Sequence, residues 1–180
     1  MKAILQRVTD AKVEVDSKTV GEIGTGFLIL LGVENGDTEK EADALAAKIA
    51  GLRIFTDEND KMNLALADVN GSVLVISNFT LCADCSHGRR PNFMAAARPD
   101  TANPLYEYFC KKMQFLCIFL HICIFFRTFV RYFPNNGGYI HTHTILQEPM
   151  QVLRFLFYHP SGEASAVCGG IVGGMAHASA

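Results

Sequence analysis

The sequence lacks several features that would point to particular classes of protein. It has no tryptophan, only 19% of its 180 residues are charged, and its net charge is −2. So small a charge gives no bulk attraction to nucleic acid, and an RNA partner would therefore need a local basic patch. The longest largely apolar run, residues 115–126, has 12 residues including His121, whereas a membrane helix needs about 20. These absences favour a globular protein without membrane contact.

Signals for secretion, disulfide bonds and metal binding are also weak. Charge appears at Lys2 and Arg7, too early for the apolar core of a signal peptide. The six cysteines do not have the spacing of a small secreted disulfide framework, so we expect a reduced, cytoplasmic protein. Cys82, Cys85 and His87 are half of a zinc motif, but no second pair of ligands occurs in residues 1–114. We predict no metal and no cofactor.

Composition changes sharply near residue 114. Residues 1–114 contain 13 of the 16 Lys and Arg residues and 16 of the 18 Asp and Glu residues. The remainder is poor in charge and rich in phenylalanine, histidine and, at its end, glycine. One evenly built domain rarely has two such compositions, so we predict a domain over 1–114 and a divergent tail over 115–180.

Hydrophobic patterning predicts an α/β fold, with a mixed, barrel-like β-sheet and two packed helices. One helix is expected to begin at an Asp37 N-cap and to stop at Gly51, and a second to be capped by Asn103 with Pro104 at its first position. The continuous apolar run from Phe27 to Val33 predicts a strand covered on both faces. The expected strands are 3–8, 12–16, 19–23, 27–33, 53–55, 62–64 and 72–79.

Polar residues follow the apolar run 73–76 directly. They form the segment Ser77-Asn78-Phe79-Thr80-Leu81, and the loop Gly88-Arg89-Arg90-Pro91-Asn92-Phe93 comes shortly after it. A buried strand that ends in hydroxyl and amide side chains presents a polar site at a sheet edge. The residues alone favour a strand-end hydroxyl that satisfies the backbone for Thr80, and a solvated turn for Arg89 and Arg90.

Residues 1–114 closely resemble the D-aminoacyl-tRNA deacylases. The matching segments occur in the same order along the chain: 6–8, 21–24, 31–33, 53–55, 61–63, 77–81 and 90–93. The resemblance implies a homodimer that hydrolyses the ester between a D-amino acid, or glycine, and the 3′ end of tRNA. Segment 77–80 matches the family's Ser-Gln-Phe-Thr motif, with Asn78 where the family usually has glutamine.

The resemblance also implies the roles of individual residues. Ser77, Asn78, Phe79 and Thr80 are expected to be catalytic, and substrate binding is expected of Arg7, Met62, Arg90, Pro91 and Phe93. Backbone N–H groups of Phe79 and Thr80 are candidate donors to the developing oxyanion. Thr80 is a candidate nucleophile, but His87 is the one histidine in residues 1–114 that is available to activate it. Assistance from the ribose 2′-hydroxyl of the substrate is the alternative.

One family feature has no counterpart in the sequence. The resemblance implies a Gly-cis-Pro pair that enters the partner subunit, but none of the six prolines follows a glycine. Asn135-Asn136-Gly137-Gly138 resembles the motif only superficially, because glycine stands in place of the proline. A non-proline cis bond costs about 2.5–4 kcal/mol. We interpret residues 115–180 as a frameshift, a mis-called gene end or a retained non-coding segment. Three hypotheses remain: an active deacylase, an inactive truncated fold, and a membrane-associated derivative held by residues 115–133.

Overall fold

The computed structural model describes residues 1–15, 18–116, 122–125, 153–154 and 169–170, the last three ranges as backbone strands. The elements, in chain order, are β1 (Lys2–Val8), β2 (Ala11–Val15), β3 (Lys18–Ile23), β4 (Gly26–Gly32), α1 (Glu39–Ala50), β5 (Arg53–Thr56), β6 (Met62–Ala65), β7 (Ser72–Ser77), a 3₁₀ turn (Phe79–Cys82), α2 (Pro99–Leu116), β8 (Ile122–Phe125), β9 (Leu153–Arg154) and β10 (Gly169–Gly170). The expected mixed α/β fold with two helices is confirmed.

The central sheet has the strand order β1-β4-β7-β8. β1 is antiparallel to β4, whereas β4, β7 and β8 are parallel to one another. β2 with β3, and β5 with β6, form antiparallel hairpins, and β9 pairs with β10. Because β4 and β7 are parallel neighbours, their carboxyl ends lie side by side at one edge of the sheet.

The sheet is covered on both faces, as the apolar run of β4 predicts. On one face, Phe27, Ile29 and Leu31 of β4 pack with buried residues of α1 and α2. On the other face, Leu28 of β4 packs with residues of the β2–β3 hairpin. Alternate side chains of a strand point to opposite faces, so a strand buried on both faces has no polar positions.

The N-terminus of α1 differs from the sequence prediction by one residue. Thr38, not Asp37, is the N-cap: its hydroxyl accepts from the Lys40 N–H, and the Glu41 carboxylate accepts from the Thr38 N–H at 2.8 Å. This is a capping box, which satisfies two of the unpaired donors at the helix start. Asp37 instead accepts from the Met1 ammonium and from the Glu34 N–H, each at 2.6 Å. The helix ends at Ala50, with Gly51 as its C-cap.

The start of α2 was predicted wrongly. The helix begins at Pro99, so Pro104 lies inside it and Asn103 is not its N-cap. The side-chain oxygen of Asn103 is buried without a hydrogen-bond partner in the described part of the chain. Two prolines each fit the first helical position, and the burial of apolar residues from Leu105 onwards offsets the hydrogen bond that Pro104 cannot make.

Part of the apolar run after residue 114 belongs to the central sheet. α2 continues to Leu116, and β8 pairs with β7 in the register Val73↔Ile122 to Ile76↔Phe125. In the described ranges, no helix has both the length and the apolarity to cross a membrane. The other tail segments singled out from the sequence, 135–138 and most of the run 115–133, lie outside the described residues. The division at residue 114 stays a prediction.

Asp43 joins the two helices through two polar contacts. The Lys112 ammonium lies 2.9 Å from its carboxylate, and the Tyr108 hydroxyl donates to it at 3.1 Å. The hydrogen bond from Lys112, followed by that from Tyr108, lowers the pKa of Asp43. A depressed pKa in the folded state means that this stabilisation is present above the unfolded pKa, near 4, and is lost as the pH falls through the folded value.

We therefore expect Asp43→Asn to lower the urea midpoint of unfolding modestly at pH 7, and this difference from wild type to shrink below about pH 4. Urea titrations of both proteins between pH 3 and pH 7 measure it. Glu58→Gln, in the exposed β5–β6 turn, is the matched charge control and should leave the midpoint unchanged. A difference that grows as the pH falls would contradict the assignment.

Candidate active site

Segment 77–82 lies where β4 and β7 end together. The strand β7 stops at Ser77, opposite Leu31, and the Asn78 N–H donates to the Leu31 carbonyl at 2.7 Å. The chain then enters the 3₁₀ turn Phe79–Cys82. The expected strand over 72–79 is therefore two residues too long, and Thr80 lies in a turn and not at a strand end.

The side chain of Asn78 caps this turn. Its Oδ1 accepts from the Thr80 N–H at 3.0 Å and from the Thr80 hydroxyl. Asparagine favours this local bond to the residue two positions on, because its carboxamide is short enough to close the ring. Thr80 is exposed, whereas Ser77, Asn78 and Phe79 are half-buried. The predicted use of the Thr80 N–H as an oxyanion donor needs correction, because Asn78 already occupies it.

Cys82 and Gly32 lie where the turn packs against the end of β4. Cys82 is buried, and its Sγ lies 3.5 Å from the Val33 carbonyl oxygen. Burial raises the pKa of the Cys82 thiol to about 11, so the thiol is protonated near neutral pH and is no nucleophile. A Cβ at Gly32 would lie 3.1 Å from the Asn78 carbonyl oxygen, from Cys82 Sγ and from Leu81 Cβ. Only glycine lets β4 approach the turn this closely.

An arch of residues 84–92 follows the turn. Asp84 and Asn92 close it with two backbone hydrogen bonds of 2.7 and 2.9 Å. His87, Arg89, Arg90 and Pro91 are exposed on the arch. Directly after it, the Phe93 ring meets the Phe79 ring edge-on, with centroids 5.3 Å apart. This aromatic contact holds the base of the 84–92 arch against the site turn.

The predicted site residues fall into two groups. Phe93 lies with segment 77–80, and Arg90 and Pro91 lie on the adjoining arch. Arg7 of β1 pairs with Phe27 of β4, and Phe27 lies about 13 Å along β4 from Leu31. Its guanidinium donates to the Ile54 carbonyl at 2.8 Å and to the Thr56 hydroxyl at 3.2 Å, and Thr56 pairs with the exposed Met62. Within one chain, Arg7 and Met62 thus both adjoin Thr56 of the β5–β6 hairpin.

The chemistry of the site turn is that of hydrogen-bond donors and acceptors. Within the described residues, no group of three histidine, cysteine or acidic side chains is placed to hold a metal ion. Sequence reasoning missed the cap of Asn78 on Thr80 and the close approach at Gly32. An asparagine two positions before a threonine at the end of a buried strand indicates the cap. The close approach at Gly32 depends on which strands are neighbours.

A family model described as D-Tyr-tRNA(Tyr) deacylase matches residues 4–121. Curated relatives named D-aminoacyl-tRNA deacylase include that of Geobacter sulfurreducens, 58% identical over 109 residues, which are 61% of this chain and 72% of the relative. That of Pseudoalteromonas translucida is 55% identical over 116 residues, 64% of this chain and 80% of the relative. The enzyme of Clostridioides difficile is 55% identical over 114 residues, with 63% and 76% covered.

Two solved structures resemble the fold. A structure titled c-Myc DNA Unwinding Element Binding Protein is similar with a TM-score of 0.66 and 31% identity, over 80% of this chain and 91% of that one. A probable eukaryotic D-amino acid tRNA deacylase is similar with a TM-score of 0.55 and 19% identity, over 64% and 68%. At that identity, the second likeness shows the fold alone.

Proposed function

The chain belongs to the D-Tyr-tRNA(Tyr) deacylase family, a family of hydrolases that act on aminoacyl-tRNA, and from that premise we propose that it releases D-amino acids from the 3′ end of tRNA. The observation that carries the proposal is the compact turn 77–82, which lies inside the matched region at the joint end of β4 and β7. The turn presents hydroxyl, amide and aromatic side chains together at one sheet edge.

The reaction is hydrolysis of an ester. A water oxygen bonds to the carbonyl carbon, the bond to the ribose 3′ oxygen breaks, and that oxygen takes up a proton, giving a free amino acid and tRNA. Such a reaction needs donors for the negative charge that develops on the carbonyl oxygen. Ser77, Asn78, Phe79 and Thr80 are the proposed catalytic residues. The Thr80 hydroxyl donates to a neutral amide, which cannot serve as a base, so proton transfer assisted by the substrate's 2′-hydroxyl is the better proposal.

The 84–92 arch is proposed to face the RNA. Arg89 and Arg90 are exposed on it, and their guanidinium groups suit phosphate oxygens. The net charge of −2 makes such a local patch necessary for a polyanionic partner. Pro91 and Phe93 would then contact the aminoacyl end, since the Phe79–Phe93 pair links the arch to the site turn.

Further parts of the proposal concern substrate range, assembly and location. We propose glycyl-tRNA charged on tRNA(Ala) as a second substrate, a homodimer, and a cytoplasmic protein. A homodimer offers a partner surface for Arg7 and Met62, which lie away from segment 77–80 within one chain. Light scattering on the purified full chain tests the homodimer directly.

Hydrolysis of D-Tyr-tRNA, L-Tyr-tRNA and Gly-tRNA(Ala) by the full chain tests the function. We expect kcat/KM for the D-ester to exceed that for the L-ester by at least about tenfold, a difference of ~1.4 kcal/mol in transition-state binding. Spontaneous hydrolysis in the same buffer gives the background rate.

Three outcomes would contradict parts of the proposal. No turnover above background would favour an inactive fold, consistent with the missing Gly-Pro pair. Equal turnover of the D- and L-esters would show an esterase without chiral selection. Release of the protein from lysates only with detergent would favour the membrane-associated alternative.

A further inference from the structure

We propose that turn 34–37, which follows β4, positions segment 93–97 for substrate binding, and that Asn35 is the main positioning residue of this turn. The proposal rests on the proposed deacylase function, because Phe93 in this segment is one of the proposed substrate-binding residues. The turn acts through the backbone of segment 93–97 and is not expected to contact the substrate itself.

Segment 93–97 is hydrogen-bonded to the residues that follow β4. The Asn35 N–H donates to the Ala95 carbonyl at 2.9 Å, and the Ala97 N–H donates to the Val33 carbonyl at the same distance. These two hydrogen bonds have the spacing of a short antiparallel pair. The segment therefore follows the end of β4 wherever that end lies.

The same stretch after β4 also contacts the site turn 77–82. The Val33 carbonyl, which accepts from Ala97, lies 3.5 Å from the Cys82 thiol as well. The rings of Phe93 and Phe79 meet edge-on with centroids 5.3 Å apart, so the two parts of the site touch directly. The position of Phe93 relative to the site turn thus depends on the residues that hold segment 93–97.

Asn35 adds a side-chain contact to this pairing. Its Nδ2 donates to the Met94 carbonyl at 2.8 Å, and the Asn92 Oδ1 accepts from the Met94 N–H at 2.9 Å. Two asparagine side chains therefore hold both backbone polar groups of Met94, whose side chain is 80% exposed. Packing contributes little to a residue this exposed, so the position of its backbone depends on these hydrogen bonds.

Turn 34–37 is itself fixed by its backbone conformation. The Asp37 N–H donates to the Glu34 carbonyl at 3.2 Å, and the Asp37 carboxylate accepts from the Glu34 N–H at 2.6 Å. Gly36 has a φ of +91°, a left-handed value that favours glycine. Asn35 has no positive φ, so alanine can replace it without backbone strain.

Asn35→Ala removes the donor to Met94 and keeps the backbone of the turn. We expect KM for D-Tyr-tRNA to rise about three- to tenfold, the range for one lost hydrogen bond, while kcat stays within about twofold. The Ala97 amide hydrogen should exchange faster by a similar factor. Asn70→Gly is the matched control: it removes an exposed carboxamide in the turn before β7, where φ is +49°, and should leave KM unchanged.

Gly36→Ala perturbs the same turn without removing a side chain. A Cβ at Gly36 would meet nothing within 4 Å, so the strain comes from the φ of +91° alone. We expect KM to rise about tenfold, again with little change in kcat. Gly24→Ala is the control, because its Cβ also meets nothing within 4 Å and its φ lies outside the left-handed range.

A positioning role and a merely structural role predict different results. If Asn35 only stabilised the fold, Asn35→Ala would lower the urea midpoint and the apparent kcat, because less of the protein would be folded, and KM would not change. That result would overturn the proposal. A KM within about twofold of wild type in both Asn35→Ala and Gly36→Ala would overturn it too.

The failure of this proposal can be distinguished from the failure of the proposed function. No turnover of D-Tyr-tRNA by wild type would overturn both. Turnover by wild type, with KM unchanged in Asn35→Ala and Gly36→Ala, would overturn the positioning role alone.

Discussion

Gly26→Ala is expected to lower the free energy of unfolding by about 3 kcal/mol or more, enough to unfold much of a marginally stable domain. A Cβ at Gly26 would lie 1.8 Å from the Ser72 carbonyl oxygen and 2.6 Å from the Ser72 nitrogen. Both atoms belong to the backbone of the neighbouring strand, so no side-chain rotation relieves the clash. Gly26 pairs with Ser72 at the start of the β4–β7 ladder, and the register of this ladder leads to segment 77–80 at its other end.

Urea titration followed by circular dichroism measures the loss. Gly24→Ala is the matched control, because a Cβ there meets nothing within 4 Å, and it should change the midpoint little. If Gly26→Ala were as stable as Gly24→Ala, the close contact between β4 and the Ser72 backbone would be incorrect.

Gly32→Ala is expected to lower kcat/KM for D-Tyr-tRNA by about ten- to a hundredfold while the fold persists. The added Cβ would lie 3.1 Å from the Asn78 carbonyl oxygen, Leu81 Cβ and Cys82 Sγ, so the turn must move by a few tenths of an ångström. Displacements of this order in a catalytic group are costly, because its hydrogen bonds depend on both distance and angle. None of these three neighbours belongs to the main core cluster, so the loss of stability should be small.

Kinetics, urea titration and amide chemical shifts of the same variant separate these effects. We expect the chemical-shift changes to be largest in residues 78–82. Gly51→Ala is the control, since its Cβ would make ordinary contacts of 3.5 Å or more at the end of α1, away from the site. Unchanged kcat/KM in Gly32→Ala, with an active wild type, would show that the exact position of the turn does not limit the reaction.

Most elements could be predicted because their patterns are local. The apolar run of β4 and the helical spacing of Ala42, Leu45 and Ile49 in α1 report burial directly. The ends of the helices were harder to predict. Asp37 and Thr38 are both good N-caps, and only the glutamate three residues after Thr38 decides between them through the capping box. At α2, Pro99 and Pro104 compete in the same way, and tertiary burial of the helix decides.

For the site, the sequence identified the segment but not its geometry. It placed Ser77, Asn78 and Thr80 after a buried strand, and their family resemblance is confirmed over residues 4–121. It also grouped Arg7 and Met62 with them, although within one chain Arg7 of β1 hydrogen-bonds to β5 and Met62 lies in β6, away from the turn. Register between strands is a long-range property, which a single run of residues does not contain.

The sequence by itself thus determined the class of fold and the order of the strands and helices from β1 to α2, and it indicated segment 77–81 as the candidate site. These depend on local propensity and hydrophobic period, which act over a few neighbouring residues. Only the tertiary structure decided that Asn78 holds the Thr80 N–H and hydroxyl, that Gly32 makes room for the turn, and that β8 pairs with β7. Each of these is a contact between atoms whose distance is set by how strands and turns pack, and packing at this scale is not encoded in any one stretch of the chain.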